Sequence, residues 1–225
     1  MSNMEFESTI GDAKVKLRLK PENMDIERKC DTEYHVAFTE LMQRGVLPKA
    51  TLERIMSEKG IWTEAQEKLL TELQEKLAKL QIALNKAETH DKGLLLAKDM
   101  GELRNQCLRL IEVKSAVFVN SCESLADSVR RDAYIAYALV YADTGKAVFK
   151  NYYEFLSRAD EQVVLDARRI VLEESIKAFQ SSVTSLPELA YIKKVEGEMA
   201  TAKETAKEVA ATATIAKPKK TRKKT

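Results

Sequence analysis

The sequence predicts a mainly α fold: a helical bundle with a long antiparallel coiled-coil-like hairpin, a small N-terminal β-hairpin and a disordered basic C-terminal tail. Three observations predict it. Two apolar stripes alternate steps of three and four residues through residues 63–118. The first is Leu70, Leu73, Leu77, Leu80, Leu84 and Ala87; the second is Leu96, Met100, Leu103, Cys107, Leu110, Lys114 and Val117. That spacing belongs to a helix with one narrow buried seam. The 225 residues are 44% hydrophobic and 32% charged, with only seven Gly and four Pro, which suits helices better than the Gly-containing turns of an α/β enzyme. Finally, Lys217, Lys219, Lys220, Arg222, Lys223 and Lys224 crowd the end of the chain with no acid among residues 213–225. The net charge is only +2, so the remainder of the chain is mildly acidic.

Each element follows from local pattern. In residues 1–21, Phe6, Ser8 and Ile10 alternate with polar residues, Gly11-Asp12 offers a tight turn, and Val15, Leu17 and Leu19 share a face, which predicts a β-hairpin ended by Pro21. A lone hairpin is marginal in water, so it must lie on the helical body or complete a partner's sheet. Residues 22–196 form the predicted helical domain. Its first helix spans 22–44, with Met24, Cys30 (or Ile26), Tyr34, Phe38 and Leu41 inward and Gly45 past its end. Pro48 opens a short helix through Ser57, with Leu52, Ile55 and Met56 inward and Gly60 stopping it. Thr63 and Gln66 make a capping box for the first arm of the helical hairpin 63–118. Thr89-His90-Asp91-Lys92-Gly93 is its turn, and each arm is about 35–40 Å long at the α-helical rise.

Asn120-Ser121 then caps a helix over 122–142, whose last turns, Ala133 to Tyr141, are apolar nearly all round and predict a central buried helix. Asp143-Thr144-Gly145 is a turn, and Tyr152–Leu156 a short aromatic helix. Asp160 caps a helix over 161–181 with Val163, Val164, Ala167, Ile170, Val171, Ser175 (or Glu174) and Ala178 on one face. A short turn around 187–194 leads to residues 197–225. That stretch has few large apolar groups and is predicted to be disordered, with nascent helix at 198–211.

The residue types that carry chemistry are sparse. Cys30, Cys107 and Cys122 are odd in number and far apart, which predicts free, mostly buried thiols in a reducing compartment. His35 lies near Cys30, Asp31 and Glu33, but zinc needs four ligands at characteristic spacing and no second cluster follows. His90, the other histidine, sits in the predicted inter-arm turn. Asp143-Thr144-Gly145-Lys146 has too few glycines for a phosphate loop and follows an apolar helix. These absences predict a protein with no enzymatic activity, no cofactor and no metal. No apolar run reaches bilayer length and the N-terminus lacks a signal-peptide pattern, which predicts residence in a cytoplasm without membrane contact. The seam residues Leu73, Leu77, Leu80, Leu84, Met100, Leu103 and Leu110 are the candidate partner-binding set, with Ala87 and Lys114 as its weak points. The six tail cations are the candidate site for non-specific nucleic acid or an acidic partner. The oligomeric state is left open by the pattern, because one stripe serves a hairpin or a bundle between chains.

Two segments carry a resemblance. Following the short hairpin Phe6–Leu19, LMQRGVLPKATLERIMSEKGIWTEAQEKLLTELQ (residues 41–74) and LVYADTGKAVFKNYYEFLSRADEQVVLDA (residues 139–167) resemble a set of tailed-bacteriophage proteins. Such proteins carry a charged helical hairpin between the two segments, and several end in a Lys/Arg/Pro/Thr tail like AKPKKTRKKT. The resemblance spans about three quarters of the chain. It implies a virion-associated, tail-assembly or baseplate-assembly protein made in the cytoplasm of an infected host. Foremost is a tail or baseplate assembly chaperone that binds a tape-measure or baseplate component. A permanent structural part of the tail or connector, present in the virion, and a nucleic-acid-associated protein acting through its basic tail are the alternatives.

Overall fold

A computed structural model describes residues 4–215 of the chain, with side chains through Thr201. The fold is mainly helical with one small sheet. In order, the elements are β1 (Met4–Ile10), β2 (Ala13–Leu19), α1 (Met24–Gln43), α2 (Lys49–Glu58), α3 (Glu64–Asn85), α4 (His90–Ala116), α5 (Cys122–Ala138), β3 (Leu139–Tyr141), α6 (Tyr152–Ser157), α7 (Gln162–Thr184) and α8 (Pro187–Ile215). The chain divides into two compact units, each made of two chain segments. Unit 1 holds residues up to Leu70 together with Leu108–Gln180; unit 2 holds Thr71–Cys107 together with the residues from Ser181 onward. The N-terminal hairpin is thus an integral part of unit 1.

In unit 1 the hairpin turns at Gly11, whose φ of 60° meets the left-handed requirement at the first central position of a two-residue loop. Met4 pairs with Leu19 and Phe6 with Leu17, which sends Met4, Phe6, Ser8, Leu17 and Leu19 toward the core. The outward pairs Glu5–Arg18 and Glu7–Lys16 set opposite charges across the strands. The sheet is completed within the chain. Leu139–Tyr141 pairs antiparallel with β2, giving the order β1-β2-β3.

That third strand corrects the expected helix over 122–142. Helix α5 stops at Ala138, and Leu139 turns extended at φ −75°, ψ 123°. Leu-Val-Tyr suits a pleated surface, and the change lets Lys20 N–H donate to the Ala138 carbonyl at 3.0 Å. Sheet, α1, α5, α6 and α7 enclose one core that includes Leu17, Cys30, Ile135, Phe155 and Val164. The α1–α5 contact is tied by Tyr137 Oη donating to Glu33 at 2.7 Å and Arg130 Nε donating to Asp31 at 2.8 Å.

Several helix starts carry local caps, of which Ser121 and the Thr63–Gln66 box are the predicted ones. Asn23 caps α1, Ser121 caps α5 and Asn151 caps α6. Thr63 and Gln66 form the reciprocal capping box: Thr63 N–H donates to Gln66 Oε1 at 2.8 Å and Gln66 N–H to Thr63 Oγ1 at 3.3 Å. Asp160 does not open α7, which starts at Gln162 with Glu161 O accepting from Val164 and Leu165 N–H.

Unit 2 departs further from expectation. The inter-arm turn is 86–89, not 89–93, because Thr89 initiates α4 and Gly93 lies inside that helix. The short turn expected at 187–194 is the start of α8, which continues through Ile215, so the boundary placed at 197 falls within a helix. Pro187 and Glu188 begin it, a proline and an acid where a first turn accepts both. Leu84, Ala97 and Met100 form the unit's core, with Leu77, Leu80, Leu96, Tyr191 and Ile192 against them. Three helices therefore share a seam that the sequence pattern assigns to two. The cations from Lys217 to Lys224 lie outside the described residues.

Candidate interaction surface

Helix α7 has two apolar faces. Val163, Val164, Ala167 and Val171 point into the core of unit 1 and are buried, with Ile170 half-buried beside them. Polar groups fix this face at both edges. Ser8 Oγ of β1 donates to Asp166 at 2.8 Å. Arg168 grips Asp132 of α5 with two hydrogen bonds, 3.0 and 2.7 Å, and its guanidinium lies 5.3 Å from the Phe155 ring centroid. The two-pronged pair and the cation–π contact fix the helix's rotation about its own axis.

The opposite face is open. Leu165 is 47% exposed, Leu172 60%, Ile176 46% and Phe179 70%. With Arg169 they follow steps of four, three, four and three, a heptad stripe on the side away from the core. Arg169 is held by Asp166 at 3.2 Å and Glu173 at 3.8 Å, so the one charge inside the stripe carries its own counterions. Several large apolar side chains in one row on one helix make a patch of a kind that marks contact with another macromolecule.

The predicted seam residues are placed differently. Leu73, Leu84 and Met100 are buried, while Leu77, Leu80, Leu103 and Leu110 are half-buried. In unit 2 the packing of α8 covers Leu84 and Met100, so those positions build core instead of offering an open surface. Nor is Lys114 a weak seam position. Its Nζ donates to Glu67 Oε2 at 2.8 Å and sits 5.4 Å from the Trp62 ring centroid, and Trp62 Nε1 donates to the same oxygen at 2.6 Å. The Lys114 and Trp62 hydrogen bonds hold the Glu67 carboxyl below its usual range. The α7 stripe was legible in Leu165, Leu172, Ile176 and Phe179. The stronger inward face of the same helix masks it in the pattern.

Cys30 and Cys122 have little nucleophilic character. All three cysteines are free and buried. Burial pushes Cys30 up to about 11 despite the neighbouring Arg130 charge, and burial also raises Cys122. A thiol so placed is protonated at neutral pH. His35 meets the Tyr34 ring edge-on on α1, and His90 lies 3.4 Å from Glu198 on an exposed surface. Among the described residues no three His, Cys, Asp or Glu side chains gather as a metal site, and no helix is long and apolar enough to cross a membrane.

Comparison with models of known protein families, with curated proteins and with solved structures returned no match to this chain.

Proposed function

We propose that this protein is a non-enzymatic assembly factor of a tailed bacteriophage, a tail or baseplate assembly chaperone acting in the cytoplasm of the infected host. It holds a helix of a structural protein against the outer face of α7. The observation that carries this reading is the exposed row Leu165, Leu172, Ile176 and Phe179 on a helix whose other face is locked into a core. Such a row fits the groove-and-knob packing of an amphipathic client helix. Covering a large aliphatic or aromatic side chain contributes about 1.5–3 kcal/mol for full burial. Four partly exposed ones supply several kcal/mol before the ordering costs of association are met. That suits a client that must be held and later released. The phage resemblance of residues 41–74 and 139–167 supports the choice of client, a tape-measure or baseplate component.

The test is co-expression with the tape-measure or baseplate protein of the same phage. The client should stay soluble and co-purify with the wild-type chain, and should precipitate beside a Leu172→Lys variant. Mass spectrometry of purified particles should find no stoichiometric copies of the protein. Stoichiometric copies would make it a permanent virion component, and a client indifferent to Leu172→Lys would remove α7 from the mechanism.

A further inference from the structure

The outer stripe of α7 is nearly its own complement. Resting on the reading of α7 as the binding face, we infer that a second copy of this chain covers the stripe when no client is present. The two α7 helices then pack antiparallel about a two-fold axis level with Glu174. In that register Arg169 lies opposite Phe179 and Leu172 opposite Ile176, and the symmetry repeats both layers. Each guanidinium reaches the partner copy's aromatic ring, a cation–π arrangement. Unit 1 uses the same chemistry internally, with Arg158 5.0 Å from the Phe149 ring centroid and Arg168 5.3 Å from that of Phe155. Asp166 and Glu173 accompany Arg169, so the seam gains no uncompensated charge.

A parallel pairing has none of this complementarity. It stacks Arg169 on Arg169 and Phe179 on Phe179, which places two like charges in an apolar layer. The size of the patch sets the strength. Four side chains exposed by 46–70% offer a few hundred Å², on the order of half the ~800 Å² per partner of a standard stable interface. The pair is therefore weak and reversible, and a client helix that offers more area displaces it. Self-pairing shields the stripe from non-specific contacts until the client arrives.

Sedimentation velocity on the full chain over ~5–500 μM tests this directly. The wild type should pass from monomer to dimer across that range. Ile176→Lys should remain monomeric with an unchanged circular dichroism spectrum, because position 176 lies outside the core. Orientation is read from mixed cysteine variants. Leu172→Cys combined with Ile176→Cys should form a mixed disulfide faster than either variant cross-links alone, the native thiols being buried. A wild type monomeric throughout, or a dimer that survives Ile176→Lys, overturns the inference; so does Leu172→Cys linking to itself faster than the mixture. No client is present in these assays, so their failure leaves the chaperone reading standing. Conversely, an intact dimer with no client binding would remove only that reading.

Discussion

At position 93 a missing methyl group decides how closely two helices approach. Alanine would add about 1 kcal/mol of helix propensity over glycine. A Cβ on Gly93, however, would fall inside the contact distance of the Tyr191 hydroxyl and ring of α8. Tyr191 packs against the core of unit 2, and its ring must shift out of those contacts to admit the methyl. Gly93→Ala should therefore lower stability by roughly 1–3 kcal/mol. In a Tyr191→Ala background the same substitution should become neutral or stabilising, a reversal that urea titration of the four chains would show. Glu188 makes the residue-scale case for pH. Burial alone would raise its carboxyl, but Arg104 Nε and Nη2, the latter at 3.2 Å, and the backbone overcome that and hold it below the usual range. A depressed folded pKa means the contribution is complete above the unfolded value of about 4.3 and is lost as pH falls through the lower folded value. Glu188→Gln should thus cost roughly 2–4 kcal/mol at pH 7, with Arg104 left without its counterion. The gap to wild type should hold above about pH 4.3 and shrink as pH falls below it, read as converging urea midpoints.

At the scale of the element, α7 tests the claim that one helix has two apolar faces. Val171 and Leu172 are neighbours of similar chemistry; one is buried and the other 60% exposed. Leu172→Lys should stay within about 0.5 kcal/mol of wild type. Val171→Lys puts an unpaired ammonium into the core of unit 1 and should cost more than ~3 kcal/mol or prevent folding. Equal costs in thermal denaturation would mean the helix is not oriented as described. This pair also shows what could be read from the sequence. The inward face of α7 was legible because Val163, Val164, Ala167 and Val171 cluster at helical spacing, and the caps at Thr63 and Ser121 and the helix start at Pro48 were legible because their chemistry is local. What escaped had a non-local cause. Leu139-Val140-Tyr141 continues the apolar pattern of α5, and only the open edge of β2, distant in sequence, draws it into a strand. Leu189, Ile192, Val195 and Met199 stand at helical spacing, so a helix was legible there, but nothing local marks α8 as the third wall of the α3–α4 seam. The outer face of α7 was visible as a heptad, but a pattern cannot say which of two stripes on a helix is covered.

For the whole molecule, the decisive fact is that each unit is assembled from two separate stretches of chain. The core of unit 1 draws every buried member from residues 4–30 and 133–171, and that of unit 2 sets Leu84, Ala97 and Met100 of α3 and α4 against Tyr191 and Ile192 of α8. Cutting the chain after Gln180 should therefore have unequal effects. Unit 1 retains all its residues, including the single tryptophan, Trp62, which is buried and hydrogen-bonded to Glu67 beside Lys114. Unit 2 loses α8, so Leu84, Ala97 and Met100 lose the side of their core that Tyr191 and Ile192 form. Uncovering such a cluster leaves apolar surface in water and removes the packing that makes a marginal helix persist. A chain of residues 1–180 should keep the native tryptophan emission maximum while binding an apolar dye that the full chain excludes. Limited proteolysis should then cut first between residues 71 and 107, since local opening follows loss of buried contacts. A tryptophan shift on truncation would show that the two cores stand or fall together. A dye-silent, protease-resistant truncation would show that α3 and α4 need no third helix, as the two apolar stripes alone had predicted.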